Sequence, residues 1–115
     1  MQVNLEKPPN RPGFLIVRLS GSINALAADQ LWESTAQQLD YETRFVVFDF
    51  TDVTMLTSAG IGILVRLYSR LKASEGGLAV FGCSARIREI FVIVMLDKVL
   101  KVCDSETEAW QALES

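Results

Sequence analysis

The feature that most constrains the fold is the segment "RFVVFDF" at residues 44–50, near the middle of the chain. Apart from Asp49, its apolar residues fall on both alternating faces of an extended chain. A strand of this kind must be covered on both sides, as the central strands of parallel sheets are. Other short apolar segments before and after it are separated by stretches with helical periodicity. This alternation predicts an α/β domain with right-handed crossovers and a largely parallel sheet.

The predicted element order is β-β-α-β-α-β-α-β-α, with about five strands and four helices in one domain over residues 1–115. The first strand precedes a turn with three prolines, so it is expected at an edge of the mostly parallel, mixed sheet. The strands are expected at residues 3–5, 14–21, 44–50, 78–82 and 99–103. The helices are expected after Asn24, over 58–74 with a left-handed cap at Gly76-Gly77, after Ser84, and from the capping box "SETE" at 105–108.

Each helix carries an apolar face that is expected to pack on the sheet. The inward residues are Ala28, Leu31, Trp32, Thr35 and Leu39 in the first helix; Ile61, Leu64, Val65, Tyr68 and Leu71 in the second; Ile87, Ile90, Phe91 and Val94 in the third; and Trp110 and Leu113 in the fourth. Val92 and Ile93 face away from the third stripe. They are expected to contact a partner or a second copy in a weak homodimer, or else to be covered by a neighbouring helix.

The composition excludes several classes of function. A net charge of -3 argues against a nucleic-acid partner, which requires clustered Lys and Arg. The absence of histidine excludes a Ser-His-Asp triad and a His-bearing zinc site, so no enzyme activity, metal or other cofactor is expected. Cys83 and Cys103 have neither metal-ligand nor disulfide-framework spacing and are expected to be small buried residues of a reducing cytoplasm. No apolar run reaches the ~20 residues of a membrane span, so direct membrane insertion is not expected.

The segment "TDVTMLTS" at 51–58 is expected to be the longest loop at the carboxyl ends of the strands, where α/β domains place their sites. Ser58 is expected to cap the following helix. Gly60 and Gly62 are poor helix formers, which indicates backbone left open for another molecule. Ile63 is expected to point outward beside Arg66 and Arg70, as part of a docking patch.

Four blocks of the chain resemble the STAS domain of bacterial anti-sigma factor antagonists: "SGSINALAADQLWE", "VVFDFTDVTMLTSAGIGILVRL", "GLAVFGCSARIREIF" and "LDKVLKV". The resemblance implies a regulatory protein without catalytic activity. In the family, the anti-sigma factor is a serine kinase that phosphorylates a serine in the loop, and a PP2C-type phosphatase removes the phosphate. The unphosphorylated antagonist sequesters the anti-sigma factor and so frees the sigma factor for transcription. Carried across, the phosphoacceptor is Ser58, with Thr57 as the alternative.

The loop departs from the usual family pattern, Asp-Ser-Ser-Gly. Thr57 stands in place of Asp, Ala59 in place of the second Ser, and Asn24 where many members have Asp. The alternative is therefore a STAS subunit or scaffold without a phosphate cycle, which binds a larger partner such as the ATPase of an ABC-type lipid transporter. In either case, the resemblance and the local pattern together place the partner-binding surface at Asn24, Thr57, Ser58, Ala59, Gly60, Gly62, Ile63 and Arg66.

A phosphorylated receiver domain is the remaining alternative, because Asp49 ends the predicted central strand. Receivers also need an acidic pair after the first strand and a lysine after the last. The corresponding loops here read "GSIN" and "CDSE", which excludes that class. Asp49 is instead expected to hydrogen-bond amides of the following loop. The chain also lacks a glycine-rich phosphate loop, so a nucleotide site is not expected.

Overall fold

The computed structural model describes residues 1–39 and 42–114. Five strands form one sheet in the order β1-β2-β3-β4-β5. Their bounds are β1 Gln2–Glu6, β2 Phe14–Ile23, β3 Phe45–Leu56, β4 Gly77–Phe81 and β5 Lys101–Cys103. β1 lies antiparallel to β2 at one edge, and every other neighbouring pair is parallel. The predicted α/β class, mixed sheet and edge position of the first strand are confirmed.

Helices cover both faces of this sheet. Their bounds are α1 Ala25–Ala36, α2 Ser58–Ala73, α3 Ala85–Ile93 and α4 Glu106–Glu114, with a short 3₁₀ helix at Leu96–Lys98. Residues of α1, α2 and α3 share one core with Val46 and Phe48, whereas those of α4 share a second core with Val47. All three of these β3 side chains are fully buried. The apolar residues on both faces of the central strand are thus explained by two helical layers.

The structure corrects the expected loop at 51–58, since β3 continues through Leu56. The neighbouring β2 also continues past Gly21, which adopts a φ of +89°. The pairing of β2 with β3 shifts register between Arg18 and Ser20 and again between Gly21 and Ser22. These irregularities, typical of β-bulges, break the simple alternation from which strand ends were read. Both strands therefore reach further toward the carboxyl edge than their sequences indicate.

Two helical faces also differ from the prediction. In α2 the buried residues are Gly60, Leu64, Leu67 and Leu71, while Val65 is exposed. In α3 only Ile87 and Phe91 are buried. Val94 is exposed because α3 ends at Ile93 and the chain turns into the 3₁₀ helix, which the periodicity did not indicate. The same turn shortens β5, which begins at Lys101 rather than at 99.

The end of α2 uses a different residue for its left-handed turn than expected. Glu75, with a φ of 62°, takes this conformation, not Gly76 or Gly77. Gly76 is required for another reason, because a Cβ at that position would collide with the carbonyl group of Arg44. The adjacent Gly77 N–H donates to the Arg44 carbonyl over 3.1 Å. Close approach of the backbone, rather than a positive φ, explains this glycine.

The two cysteines lie on opposite faces of the sheet. Cys83 packs against the core under α1, α2 and α3, whereas Cys103 packs against the core under α4. Both are free and half-buried. Burial raises the pKa of the Cys83 thiol to about 12, opposed by the charge of Arg88. Such a thiol is unreactive, in agreement with the expected packing role.

Candidate functional site

The candidate site is built where β2 and β3 end side by side at the carboxyl edge of the sheet. Ile23, the last residue of β2, pairs with Leu56, the last residue of β3. Its carbonyl oxygen accepts two hydrogen bonds from Thr57, one from the backbone N–H at 3.2 Å and one from Oγ1 at 2.7 Å. These bonds fix the start of α2 beside the start of α1. Residues distant in sequence therefore share one surface.

Thr57, rather than Ser58, is the N-cap residue of α2, so the expected capping role of Ser58 is wrong. Thr57 has extended backbone angles, and its hydroxyl makes no bond to the first turn of the helix because it donates to Ile23. Being half-buried and bonded in this way, the Thr57 hydroxyl is the less accessible of the two phosphoacceptor candidates.

Ser58 is the first residue of α2, and its side chain is exposed. Within residues 1–39 and 42–114, none of the hydrogen bonds of the structure uses its hydroxyl group. The backbone N–H groups of a first helical turn have no partners inside the helix and attract negative charge. The arrangement can therefore present a free hydroxyl and accept an anion at the same place.

The two glycines near the start of α2 have different surroundings. Gly60 is buried, and a Cβ there would lie 2.7 Å from Ile23 Cγ2 and 2.7 Å from Leu56 Cδ1. Its small size is required by packing inside the domain, which corrects the expectation that it leaves backbone open. Gly62 is exposed, and a Cβ there would meet no atom within 4 Å. No contact among the described residues explains a glycine at position 62.

The remaining partner-binding candidates lie around this helix start. Asn24 is exposed and caps α1, its Oδ1 accepting from the Ala27 N–H over 2.9 Å, as predicted. Arg66 is exposed, but its Cζ lies 3.8 Å from the ring centroid of Trp32, a cation–π contact that holds it against α1. Ile63 is half-buried and packs against the core, so its predicted outward direction is wrong. Ala59 is half-buried at the helix start.

Two apolar residues of this surface were missed by the sequence analysis. Leu26, in the first turn of α1, is 70% exposed, and Met55, near the end of β3, is 56% exposed. They follow Asn24 and precede Thr57 closely in sequence, so both lie at the same carboxyl edge as Ser58. The signal for Leu26 was its position outside the apolar stripe of α1. No such signal existed for Met55, because its segment was assigned to a loop.

Asp49 forms a separate polar cluster on the sheet face that carries α4. Its Oδ1 accepts from the N–H and hydroxyl of Thr51, at 2.9 and 2.6 Å, and its Oδ2 accepts from Arg18 Nη1 at 2.9 Å. Burial acts to raise the pKa of Asp49, but the bonds from Thr51 and Arg18 outweigh it and leave that pKa below its usual value. The expected bond to a following amide is confirmed, within β3 rather than in a loop.

Arg18 extends this cluster to the edge strand and the last helix. Its guanidinium pairs with Glu6 on β1 and, at 3.0 Å, with Glu106 at the start of α4. Burial acts to lower the pKa of Arg18, but its bonds to the three carboxylates raise it overall. Through these three ion pairs, Arg18 links β1, β2, β3 and α4.

The comparison with known protein families identifies the domain. The family model of the STAS domain matches residues 7–109. The chain belongs to the STAS domain family. Over the described ranges, no helix of this STAS domain has the length and apolarity needed to cross a membrane.

Relatives of similar length cover nearly all of the chain. BtrV of Bordetella bronchiseptica, a candidate anti-sigma factor antagonist, is 29% identical over 103 residues, which span 90% of this chain and 89% of BtrV. An anti-sigma-B factor antagonist of Listeria monocytogenes is 24% identical over 108 residues, spanning 94% and 95% of the two chains. The phosphorylated form of the Bacillus cell fate determinant SpoIIAA has the same fold, with a TM-score of 0.75, 19% identity, and coverage of 96% and 98%.

Proposed function

We propose that this STAS domain is an anti-sigma factor antagonist that binds an anti-sigma factor serine kinase around Ser58 and releases it when Ser58 is phosphorylated. One observation carries the proposal: the Ser58 hydroxyl is exposed and unbonded at the start of α2. Relatives from Bordetella and Listeria, of nearly the same length, carry names that describe them as anti-sigma factor antagonists. A PP2C-type phosphatase would restore the binding form.

The proposed switch acts on the interface and leaves the fold unchanged. A phosphoserine adds about -1.5 to -2 charges and three acceptor oxygens. At the start of α2 this charge is favourable by roughly 0.3–1 kcal/mol, because the first-turn N–H groups can donate to it. The side chain of Thr57 does not occupy these groups, since it donates to Ile23 instead. The phosphorylated domain is therefore expected to remain folded.

The charge of phosphorylated Ser58 becomes unfavourable when a partner is bound over it. Leu26 and Met55 are exposed apolar residues at the same carboxyl edge as Ser58, and a Cβ at Gly62 would project into open space. A partner that packs on this surface would exclude water from it. Placing an uncompensated dianion in such an interface costs several kcal/mol, and each 1.4 kcal/mol lowers affinity about tenfold. The cost of burying this charge is thus sufficient to release the partner.

The alternative function, a constitutive STAS subunit bound to a larger partner, would use the same surface without a phosphate cycle. The exposed pair Leu26 and Met55 fits this alternative equally well. The two functions differ in the chemistry of Ser58. Protein purified from its native cells should carry a mass increment of about 80 Da at Ser58 in a fraction of molecules if the switch operates.

The decisive experiment is a titration of the domain with its anti-sigma factor. We expect Ser58→Asp to remain folded and to weaken binding at least tenfold, and Ser58→Ala to bind while no longer accepting phosphate. Ser69→Asp is the matched control, because Ser69 is also exposed on α2 but lies about three turns further along. Equal affinity of Ser58→Asp and the wild type would exclude the phosphorylation switch.

A further inference from the structure

Two exposed surfaces lie outside the immediate surroundings of Ser58. At the end of α3, Val92 and Ile93 are exposed. No helix among the described residues covers them, which corrects the expectation that a neighbouring helix might. The second surface is the outer side of α2, where Arg66 and Arg70 are exposed one turn apart. We call these two residues the arginine pair.

The helix that carries the arginine pair is basic, although the chain is acidic overall. The chain has 14 acidic and 11 basic residues and a net charge of -3. α2 contains Arg66, Arg70 and Lys72 but neither Asp nor Glu. A carboxylate three or four residues away, which can neutralise an exposed arginine within a helix, is therefore lacking in α2. Positive charge is concentrated on the helix that begins with Ser58.

Other arginines of the domain are paired with carboxylates of the same chain. Arg88 pairs with Asp104 at 2.7 Å, and Arg18 pairs with three carboxylates. In the part of the chain that the structure describes, neither member of the arginine pair forms an ion pair. Their charges are thus not neutralised inside the described domain.

The side chain of Arg66 is also held in position. Its Cζ lies 3.8 Å from the ring centroid of Trp32 on α1. This cation–π contact fixes the guanidinium group without using its N–H donors, none of which donates to another described residue. A planar group that is already fixed loses less conformational freedom when it binds a carboxylate. Arg66 is therefore preorganised to bind an anion.

Arg11 shows the same arrangement with the anion in place. Its Cζ lies 4.9 Å from the ring centroid of Trp110, and its Nη1 pairs with Glu114. Arg66 has the aromatic contact but not the carboxylate. A carboxylate supplied by another molecule would complete the arrangement, because the planar donors of arginine match carboxylate geometry.

The phosphate proposed at Ser58 is not positioned to serve as this anion. Arg66 follows Ser58 by eight residues, which corresponds to about 12 Å along the axis of α2. The contact with Trp32 holds its guanidinium against α1. An anion that binds Arg66 in this position is therefore expected to come from outside the domain.

We propose that the arginine pair binds an acidic segment of the partner, with Arg66 bonded to an Asp or Glu carboxylate and Arg70 extending the contact. This inference rests on the proposed function, because the partner is the anti-sigma factor that binds around Ser58. A separation of about 12 Å lies within an interface that buries about 800 Å² on each side. The net charge of -3 disfavours docking of an acidic segment elsewhere on the domain.

Titration of the domain with its anti-sigma factor at two salt concentrations tests this contact. Arg66→Gln should weaken binding at least tenfold at about 50 mM salt and by less at about 500 mM, because salt screens the lost ion pair. Arg66→Lys keeps the charge but not the planar donors, so it should recover only part of the affinity. The matched control is Lys98→Gln, which removes the same charge from an exposed residue of the 3₁₀ helix and should bind like the wild type.

Circular dichroism establishes that each variant is folded. A folded Arg66→Gln variant that binds like the wild type at low salt would overturn the proposal. So would a loss of affinity that is equal at both salt concentrations, because it would indicate lost packing on Trp32 rather than a lost ion pair. Loss in Arg66→Gln with unchanged affinity in Ser58→Asp would support the arginine contact and exclude the phosphorylation switch, and the reverse result would do the opposite.

A charge exchange identifies the carboxylate. Arg66→Glu should bind more tightly to an anti-sigma factor in which the contacting Asp or Glu is replaced by lysine than to the unmodified one. A scan of the surface carboxylates of the anti-sigma factor that yields no such variant would exclude the carboxylate contact. A wild-type domain without affinity for its anti-sigma factor would exclude the proposed function and this contact with it.

Discussion

Replacing Gly60 and Gly62 one at a time by alanine separates a glycine required inside the domain from one that it does not require. The two residues lie two positions apart near the start of α2, and both changes add the same methyl group. They differ in what that methyl group meets. At Gly60 it meets two core side chains, and at Gly62 it meets open space.

The magnitudes follow from these surroundings. In a helix interior alanine is more favourable than glycine by about 1 kcal/mol, and at Gly62 no collision opposes this gain. At Gly60 the added Cβ would lie 2.7 Å from Ile23 Cγ2 and 3.2 Å from the Ile23 carbonyl oxygen. Overpacking of a core costs about 1–3 kcal/mol, and the helical gain is smaller in a first turn. We therefore expect Gly62→Ala to stabilise by about 1 kcal/mol and Gly60→Ala to destabilise by about 1–2 kcal/mol.

Urea unfolding followed by circular dichroism measures both changes as free energies of unfolding. Thermal unfolding should show the same order, with a rise of about 4 °C for Gly62→Ala and a fall of similar or greater size for Gly60→Ala. The same Gly62→Ala protein is then titrated with the anti-sigma factor. Because the methyl group projects from the outer face of α2, binding should weaken although the domain is more stable.

The essential expectation is that the two substitutions change the free energy of unfolding in opposite directions. A Gly62→Ala variant that is less stable than the wild type would show that position 62 is constrained inside the domain. A stable variant with undiminished affinity would remove Gly62 from the partner-binding surface while leaving the stability argument intact. If Gly60→Ala were as stable as the wild type, the packing of α2 against Ile23 and Leu56 would be looser than the structure shows.

Two further predictions concern side chains that hold the fold around the site. Asn24→Ala should destabilise by about 1 kcal/mol because α1 loses its cap, whereas Asn24→Ser should recover most of this in urea unfolding; equal stability of all three proteins would contradict the capping role. Asp49 has a lower pKa in the folded protein than in the unfolded chain. Its contribution to stability is therefore fully present above the pKa of the unfolded chain and is lost as the pH falls through the pKa of the folded protein. Asp49→Asn should be less stable at neutral pH and lose less stability on acidification below about pH 4, a difference that thermal unfolding across pH measures and that an unchanged acid profile would contradict.

The layers of the fold could be predicted because they follow from local apolar patterns. Residues 44–50 are apolar on both faces, which required two covering layers, and the structure supplies them. The ends of β2 and β3 could not be predicted in the same way. They depend on register shifts between the two strands and on the positive φ of Gly21, and these are properties of strand pairing rather than of one segment.

The site was predicted unevenly for a similar reason. The resemblance to the family predicted Ser58 as the phosphoacceptor, and the structure shows that its side chain is exposed. The bond from Thr57 to the Ile23 carbonyl joins residues 34 positions apart, so no local pattern could indicate it. Gly60 looked like open backbone because its neighbours Ile23 and Leu56 come from other elements. Contacts between elements decide which small residues are exposed.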